Sequence, residues 1–158
     1  MAELCLPDFD IPEVSVVVTA WHVHRGIVRV FGGRRGLWSP RPGKWGALRL
    51  TTIGRRSGEP RMVIVGYYED GSNLVTMAMN GWGTPEPAWW LNMQARPEAV
   101  VELAGGERRE VIGRAAIGEE RDRLWQRWRE IDKNLDGLAA RRPQETAVIV
   151  LEPRAVVG

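Results

Sequence analysis

A single cysteine, Cys5, stands in the whole chain, so no internal disulfide can staple the fold and no pair of thiolates can hold a metal. Histidine is nearly as scarce. His22 and His24 are the only two, and their spacing puts them on different faces of a helix, which gives no catalytic pair. The chain contains no CxxC, no HExxH and no Ser-His-Asp grouping, which excludes the commonest thiol, zinc-peptidase and serine-hydrolase chemistries. No apolar run is long enough to cross a bilayer: Val14–Ala20 is cut off by Trp21-His22-Val23-His24-Arg25, far short of the roughly 20 residues a spanning helix needs. Residues 1–13 hold acids and prolines rather than a basic and then apolar leader, so a cytoplasmic protein is expected. Acid is the last shortage. Between Val14 and Gly58 there is no Asp or Glu, while Arg25, Arg29, Arg34, Arg35, Arg41, Lys44, Arg49, Arg55 and Arg56 all fall there. A positive field of that kind attracts phosphate, a polycarboxylate or an anionic surface. No nucleic-acid recognition motif accompanies the charge, so nucleic acid is not an expected partner.

What the chain does have is tryptophan, eight in 158 residues, suited both to a core and to planar ligands. The length fits one domain, which at this size buries roughly 68–70% of the surface of its unfolded form. Residues 1–13 read as a flexible segment and residues 14–158 as a single domain. Val16, Ala20, Val23, Ile27 and Val30 recur at helical spacing, so an N-terminal amphipathic helix is expected, stopped by Gly32-Gly33. It either lids the domain or lies on an anionic membrane surface. Residues 33–46 read as a long basic loop. Strands follow at Ala47–Ile53, Pro60–Tyr68, Asn73–Met79, Ala99–Leu103, Glu107–Ala116 and Thr146–Leu151, separated by Gly-rich turns that suggest an antiparallel meander. Short helices are expected from Pro87 and over Glu119–Asp132. The fold class is therefore mainly β with flanking helices, about six antiparallel strands closing into a barrel that leaves no free edges.

Two segments carry the chemistry. In Thr51-Thr52-Ile53-Gly54-Arg55-Arg56-Ser57-Gly58-Glu59-Pro60-Arg61, two glycines permit a tight turn ringed by three arginines and neighbouring hydroxyls, a grip for an oxyanion. A solvated basic hairpin has the same composition. In Met77-Ala78-Met79-Asn80-Gly81-Trp82-Gly83, a strand end meets a Gly-rich loop leading to the helix at Pro87, where backbone can approach a flat ring closely.

Together, in this order and spacing, Thr51–Arg61 and Pro87–Pro97 resemble the deazaflavin-dependent nitroreductase family, small split β-barrels of the FMN-binding type that bind coenzyme F420. The resemblance spans about Arg25 to Pro153. It implies that Arg55, Arg56, Ser57, Gly58 and Arg61 grip the phosphate and glutamyl tail. It further implies that Met62, Val63, Ile64 and Val65, with Ala78, Met79 and Asn80, line the deazaflavin ring, and that Ala88, Trp89 and Asn92 close the site. F420 is the implied cofactor, ahead of FMN, and no metal is expected. The pattern departs at Met79-Asn80, where many members have Ser-Lys, and at Leu135 and Leu138, where nitro- and quinone-reducing members place tyrosines over the ring.

The function implied is hydride transfer from reduced F420 to a small-molecule acceptor, a quinone, nitro compound or other conjugated system. Such chemistry resides in the cofactor and needs no acid–base triad. A proton comes either from a water held by Asn80 or from bulk solvent; no side-chain acid is assigned. A second reading keeps the barrel without turnover, as a carrier of cofactor, haem or a fatty acyl ligand. Both a monomer and a homodimer suit the sequence, and the basic N-terminal helix suits peripheral attachment to the inner face of the cell membrane.

Overall fold

The computed structural model describes residues 36–154. The N-terminal helix expected over residues 16–31, residues 1–13, Cys5 and both histidines lie outside the described residues. Six strands, β1 (Gly46–Ile53), β2 (Pro60–Asp70), β3 (Asn73–Met77), β4 (Glu98–Glu102), β5 (Arg108–Ala115) and β6 (Val148–Pro153), form a closed barrel in the order β1-β2-β3-β6-β5-β4. Every pairing is antiparallel. This is two three-stranded meanders joined edge to edge rather than the single meander expected. The connection between β3 and β4 is long and carries a helix, so the chain crosses one barrel end and closes β3 on β6 and β1 on β4 instead of pairing β3 with β4.

Strand alternation sorts the side chains. Leu48, Leu50, Val65, Tyr67, Leu74, Val101, Val111, Ile149 and Leu151 fill the interior. The helix α1 (Ala88–Ala95) inserts Trp89, Trp90 and Met93 into the same core. Gly113 is what lets α1 come so close, since a Cβ there would collide with the Met93 sulfur. On the outer face, Tyr68, Val75, Val148 and Val150 are covered by Leu124, Trp125 and Trp128 of α2 (Gly118–Ile131) and by Leu135 and Leu138 of α3 (Leu135–Ala139). The α2 apolar positions Leu124, Trp125 and Trp128 recur at the three- to four-residue step of a one-sided helix. A phenol–indole edge contact at 4.8 Å between Tyr68 and Trp128 locks this layer, and the Tyr68 hydroxyl donates to the Leu124 carbonyl at 2.8 Å. Of the tryptophans described, Trp82, Trp89, Trp90, Trp125 and Trp128 are buried and serve packing.

Several boundaries differ from the expected ones. β3 ends at Met77 rather than Met79, because Ala78 donates to the Ala147 carbonyl at 2.9 Å and the Met79 amide turns back to the Met77 carbonyl at 3.0 Å. β6 runs through Pro153, which pairs with Val111 as the last strand residue, where its missing N–H costs no ladder bond. The basic loop contains a small hairpin: Arg41 and Lys44 exchange both backbone hydrogen bonds, at 3.0 and 2.9 Å, and the Ala47 amide donates to the Trp38 carbonyl at 2.9 Å. Gly43, at φ +74°, makes its turn. Helix α3 stands where the sequence predicts none, since five residues around a central glycine carry too little periodicity to register.

Candidate functional site

The turn joining β1 to β2 is built by its own backbone. The Gly54 amide donates to the Glu59 carbonyl and the Gly58 amide to the Gly54 carbonyl, both at 2.8 Å. Gly58 takes φ +72°, which a side chain would strain. A Cβ on Gly54 would meet the Ser57 hydroxyl oxygen at 2.6 Å. That hydroxyl accepts from the Glu59 amide at 3.2 Å. Arg55, Arg56 and Arg61 are all exposed.

These three guanidinium groups share one short turn, and none has a carboxylate partner among the described residues, as is also true of Arg41, Arg96, Arg108, Arg141 and Arg154. Arg49, Arg109, Arg114, Arg121, Arg123, Arg127, Arg129 and Arg142 all pair with Asp or Glu. Arg114, held between Glu120 and Glu152 at 2.5 Å each, has its pKa pushed upward by those hydrogen bonds. The turn instead presents open positive charge, and Glu59 beside it forms no ion pair among the described residues.

Asn92 of α1 fixes the turn against the barrel end. Its side-chain oxygen accepts from the Arg55 amide at 3.1 Å and from Arg55 Nη1 at 3.0 Å, while its nitrogen donates to Thr52 Oγ1 at 3.3 Å. Asn92 and Thr52 are both buried. The structure thus brings the two motif segments together through Asn92, whose amide is already committed on both ends. It orients Arg55, leaving the remaining donors of that fork free.

Beside the turn lies an opening in the sheet. β1 pairs with β2 from Pro60 to Tyr67, but β3 pairs with β2 only at Tyr68, Glu69 and Asp70. The second backbone edge of Arg61–Val65 therefore has no strand partner among the described residues, and the chain after Met77 follows β6 instead. A flat ligand can use such an unpaired edge for backbone hydrogen bonds. The side chains of Met62–Val65 do not share one face, however. Val63 and Val65 point toward the interior core, Met62 is 65% exposed, and Ile64 packs outward with Leu37 and Ala47. Ala78 and Trp89 are likewise core residues, whereas Met79 is half-buried and Asn80 and Ala88 are exposed. Leu135 and Leu138 both lie in the outer core between α2, α3 and the sheet.

Residues 78–86 are held by a group that sequence reasoning misses. Arg142, with a side chain 0% exposed, donates to the carbonyls of Gly83 at 3.1 Å and Ala78 at 3.0 Å, to Thr146 Oγ1 at 2.8 Å, and to Glu86 at 3.1 Å. Gln144 adds bonds to the Thr84 carbonyl at 2.5 Å and to Glu86 at 3.1 Å. In the sequence Arg142 sits in Arg141-Arg142-Pro143, which reads as solvated charge; nothing local marks it as the one that turns inward.

The fold is thus a closed antiparallel six-stranded β-barrel with a cation-bearing glycine turn and one unpaired strand edge beside it. The chain belongs to the F420H(2)-dependent quinone reductase family, whose model matches residues 22–153. The family name gives coenzyme F420 as cofactor and quinone reduction as reaction. An F420H(2)-dependent quinone reductase of Mycobacterium tuberculosis (strain ATCC 25618 / H37Rv) is 29% identical over 145 residues, covering 90% of this chain and 95% of that protein. Among solved structures, an F420-H2 dependent reductase superposes with a TM-score of 0.61 at 24% identity over 72% of this chain and 96% of its own. A chain described as a domain-swapped dimer gives 0.62 at 24% identity, over 85% and 98%. The heme storage protein HutZ from Vibrio cholerae gives 0.54 at 12% identity, over 69% and 82%. These likenesses speak for the fold.

The residues present fit the cofactor's charged tail: three open guanidinium groups and a glycine turn suit a phosphate and carboxylates. Among the described residues no group of three or more His, Cys, Asp or Glu could hold a metal, and no helix is long and apolar enough to cross a membrane. A membrane-binding N-terminal helix falls outside the described residues.

Proposed function

We propose that this chain reduces quinones with the two-electron-reduced form of coenzyme F420, and that the β1–β2 turn is its clamp for the tail of that cofactor. When bound, the deazaflavin supplies the hydride. Arg55, Arg56 and Arg61, with Ser57 and the backbone at Gly58, hold the tail anions. The unpaired edge of Met62–Val65 and the turn Ala78-Met79-Asn80 line the ring, the former through backbone groups and the latter through a loop that Arg142 keeps in place. Asn92 orients Arg55 from within α1, while Trp89 and Ala88 belong to the helix that closes the barrel end. The quinone would accept a hydride and a proton; Asn80, exposed at the loop, is a candidate to hold a proton-bearing water, with bulk solvent as the alternative.

The observation that supports this reading is the gathering of three unpaired guanidinium groups on one glycine turn, with Arg55 oriented by the buried Asn92. Each charge-assisted hydrogen bond contributes about 1.5–3 kcal/mol, so changing Arg55 and Arg56 together to Ala should raise the Kd for F420 at least tenfold, a loss of roughly 1.4 kcal/mol or more. Fluorescence titration of wild type and double variant measures this, with circular dichroism checking the fold. Unchanged affinity removes the clamp. Absence of any F420 affinity in the wild type, together with co-purified haem or lipid, would replace the reductase by a carrier.

A further inference from the structure

On the outer face of the barrel, at the far end of β1 from the turn, lies a cavity of about 480 Å³ lined by Trp38, Arg41, Lys44, Trp45 and Ile131 among others. Trp38 and Trp45 are 39% and 38% exposed, with ring centroids 5.1 Å apart and planes inclined at 44°. Their mutual arrangement is fixed, because Trp38 Nε1 donates to the Trp45 carbonyl at 2.9 Å. Trp45 is seated on Gly66, where an added Cβ would stand 3.0 Å from its ring. Arg41 and Lys44 face each other across the hairpin through backbone bonds, and neither forms an ion pair among the described residues.

Chain order and a shared cluster relate this cavity to the unpaired edge of β2 and to the loop at Met79. On one side, Gly66 follows directly after the unpaired edge Arg61–Val65 on the same strand. On the other, Ile131 and Met79 are both partly buried against one cluster that includes Met77, Tyr68 and Trp128. From Pro60 to Gly66, six residues of β2 span about 20 Å, so an elongated cofactor held at the turn and lying along this edge directs its ring toward Trp45. Inclined, partly exposed indoles form a wall for a flat, electron-poor ring. The two cations add a preference for negative charge on it.

We infer that the Trp38–Trp45 cavity is where the flat quinone acceptor docks, and that Arg41 and Lys44 give it a preference for acceptors bearing an anionic substituent. This rests on the reductase reading given above. In the reaction the quinone would gain two electrons as a hydride from the reduced deazaflavin and one proton from solvent, leaving as hydroquinone, and the deazaflavin, having given up the hydride, would release one proton to solvent as it returns to its oxidised form.

The test compares neutral menadione with 1,4-naphthoquinone-2-sulfonate. Arg41→Glu with Lys44→Glu should lower kcat/KM for the sulfonate at least tenfold at low salt, change that for menadione less than threefold, and leave the Kd for F420 within twofold. Trp45→Leu should raise KM for both quinones at least fivefold with a smaller change in kcat; Trp45→Phe, which keeps a ring over Gly66, should recover most of the affinity. A ratio of sulfonate to menadione efficiency that does not move with the charge reversal overturns the assignment. Saturable quenching of tryptophan fluorescence by the sulfonate, measured on protein without cofactor, gives a second readout. It should be weakened tenfold by the charge reversal; quenching unaffected by it refutes this site even if F420 fails to bind, an outcome that would separately refute the reductase reading.

Discussion

Arg142 offers the sharpest test of how the loop beside the cofactor slot is held. Its side chain is fully buried and serves four acceptors: the carbonyls of Ala78 and Gly83, the Thr146 hydroxyl and the Glu86 carboxylate. Replacement by Met keeps much of the volume but strips the two carbonyls and the Thr146 hydroxyl of this donor and leaves Glu86 with Gln144 alone. Leaving a neutral buried acceptor unpaired costs about 1–3 kcal/mol, and breaking a buried ion pair from one side costs about 3–5 kcal/mol. Glu86 is partly exposed and can turn to water, and the two carbonyls can recruit water once the loop loosens, so the low end of each range applies. Arg142→Met should therefore destabilise the fold by up to about 6 kcal/mol, about 1 kcal/mol for each of three neutral acceptors and about 3 kcal/mol for the ion pair, against a typical total of roughly 5–15 kcal/mol for a domain. Urea unfolding monitored by tryptophan fluorescence measures it. Arg142→Lys, one ammonium in place of a fork, should fall between, at about 1–3 kcal/mol, and Glu86→Gln, which keeps the acceptor oxygen, under about 1.5 kcal/mol. F420 affinity should fall in the same order, because Ala78-Met79-Asn80 is the segment being released. A loss under about 1 kcal/mol for the Met variant, the low end for a single unpaired acceptor, would show that the loop holds itself and that the buried fork is incidental.

Asn92→Ala should leave the Arg55 amide and Thr52 without their buried partner; we expect a stability loss of about 1–3 kcal/mol and several-fold weaker F420 binding, and a Kd equal to wild type would show that Arg55 needs no orienting. Gly113→Ala forces the Met93 side chain away from the new methyl. Overpacking there should cost about 1–3 kcal/mol in thermal or urea unfolding, with Met93→Ala added to the Gly113 variant giving back part of it. Burial, opposed by Arg127, raises the Tyr68 phenol well above the ordinary tyrosine range. Its contribution to stability is thus complete below pH about 10, the unfolded value, and is lost as pH rises toward the folded one. Tyr68→Phe should flatten the alkaline limb of a stability-against-pH curve, and an unchanged slope would refute that account. The hydrogen bond from Arg123 lowers Asp70, so its contribution holds above the usual carboxylate range and fades as acid protonates it; Asp70→Asn should reduce the acid sensitivity of unfolding.

Short β-rich apolar runs bounded by Gly-rich turns are enough to place the strands of this chain approximately, although β3 and β6 are buried on both faces and show no apolar–polar alternation. The glycines of the β1–β2 turn likewise announce their turn, since Gly58 requires a backbone few other residues tolerate. The open charge of Arg55, Arg56 and Arg61 is legible as composition, and the order and spacing of the two motifs carry the family. Tertiary structure alone decides the rest. Which arginines lie open and which find carboxylates depends on residues tens of positions away, as with Arg49 and Glu102 or Arg142 and Glu86. That Arg142 turns inward while its neighbour Arg141 stays exposed follows from where the loop carbonyls end up. The opening beside β2 exists because the chain after Met77 follows β6, and the union of the two meanders is a consequence of closing every edge at once. Local pattern fixes which face of a strand is apolar; only the packed barrel determines what that face, and each buried polar group, will meet.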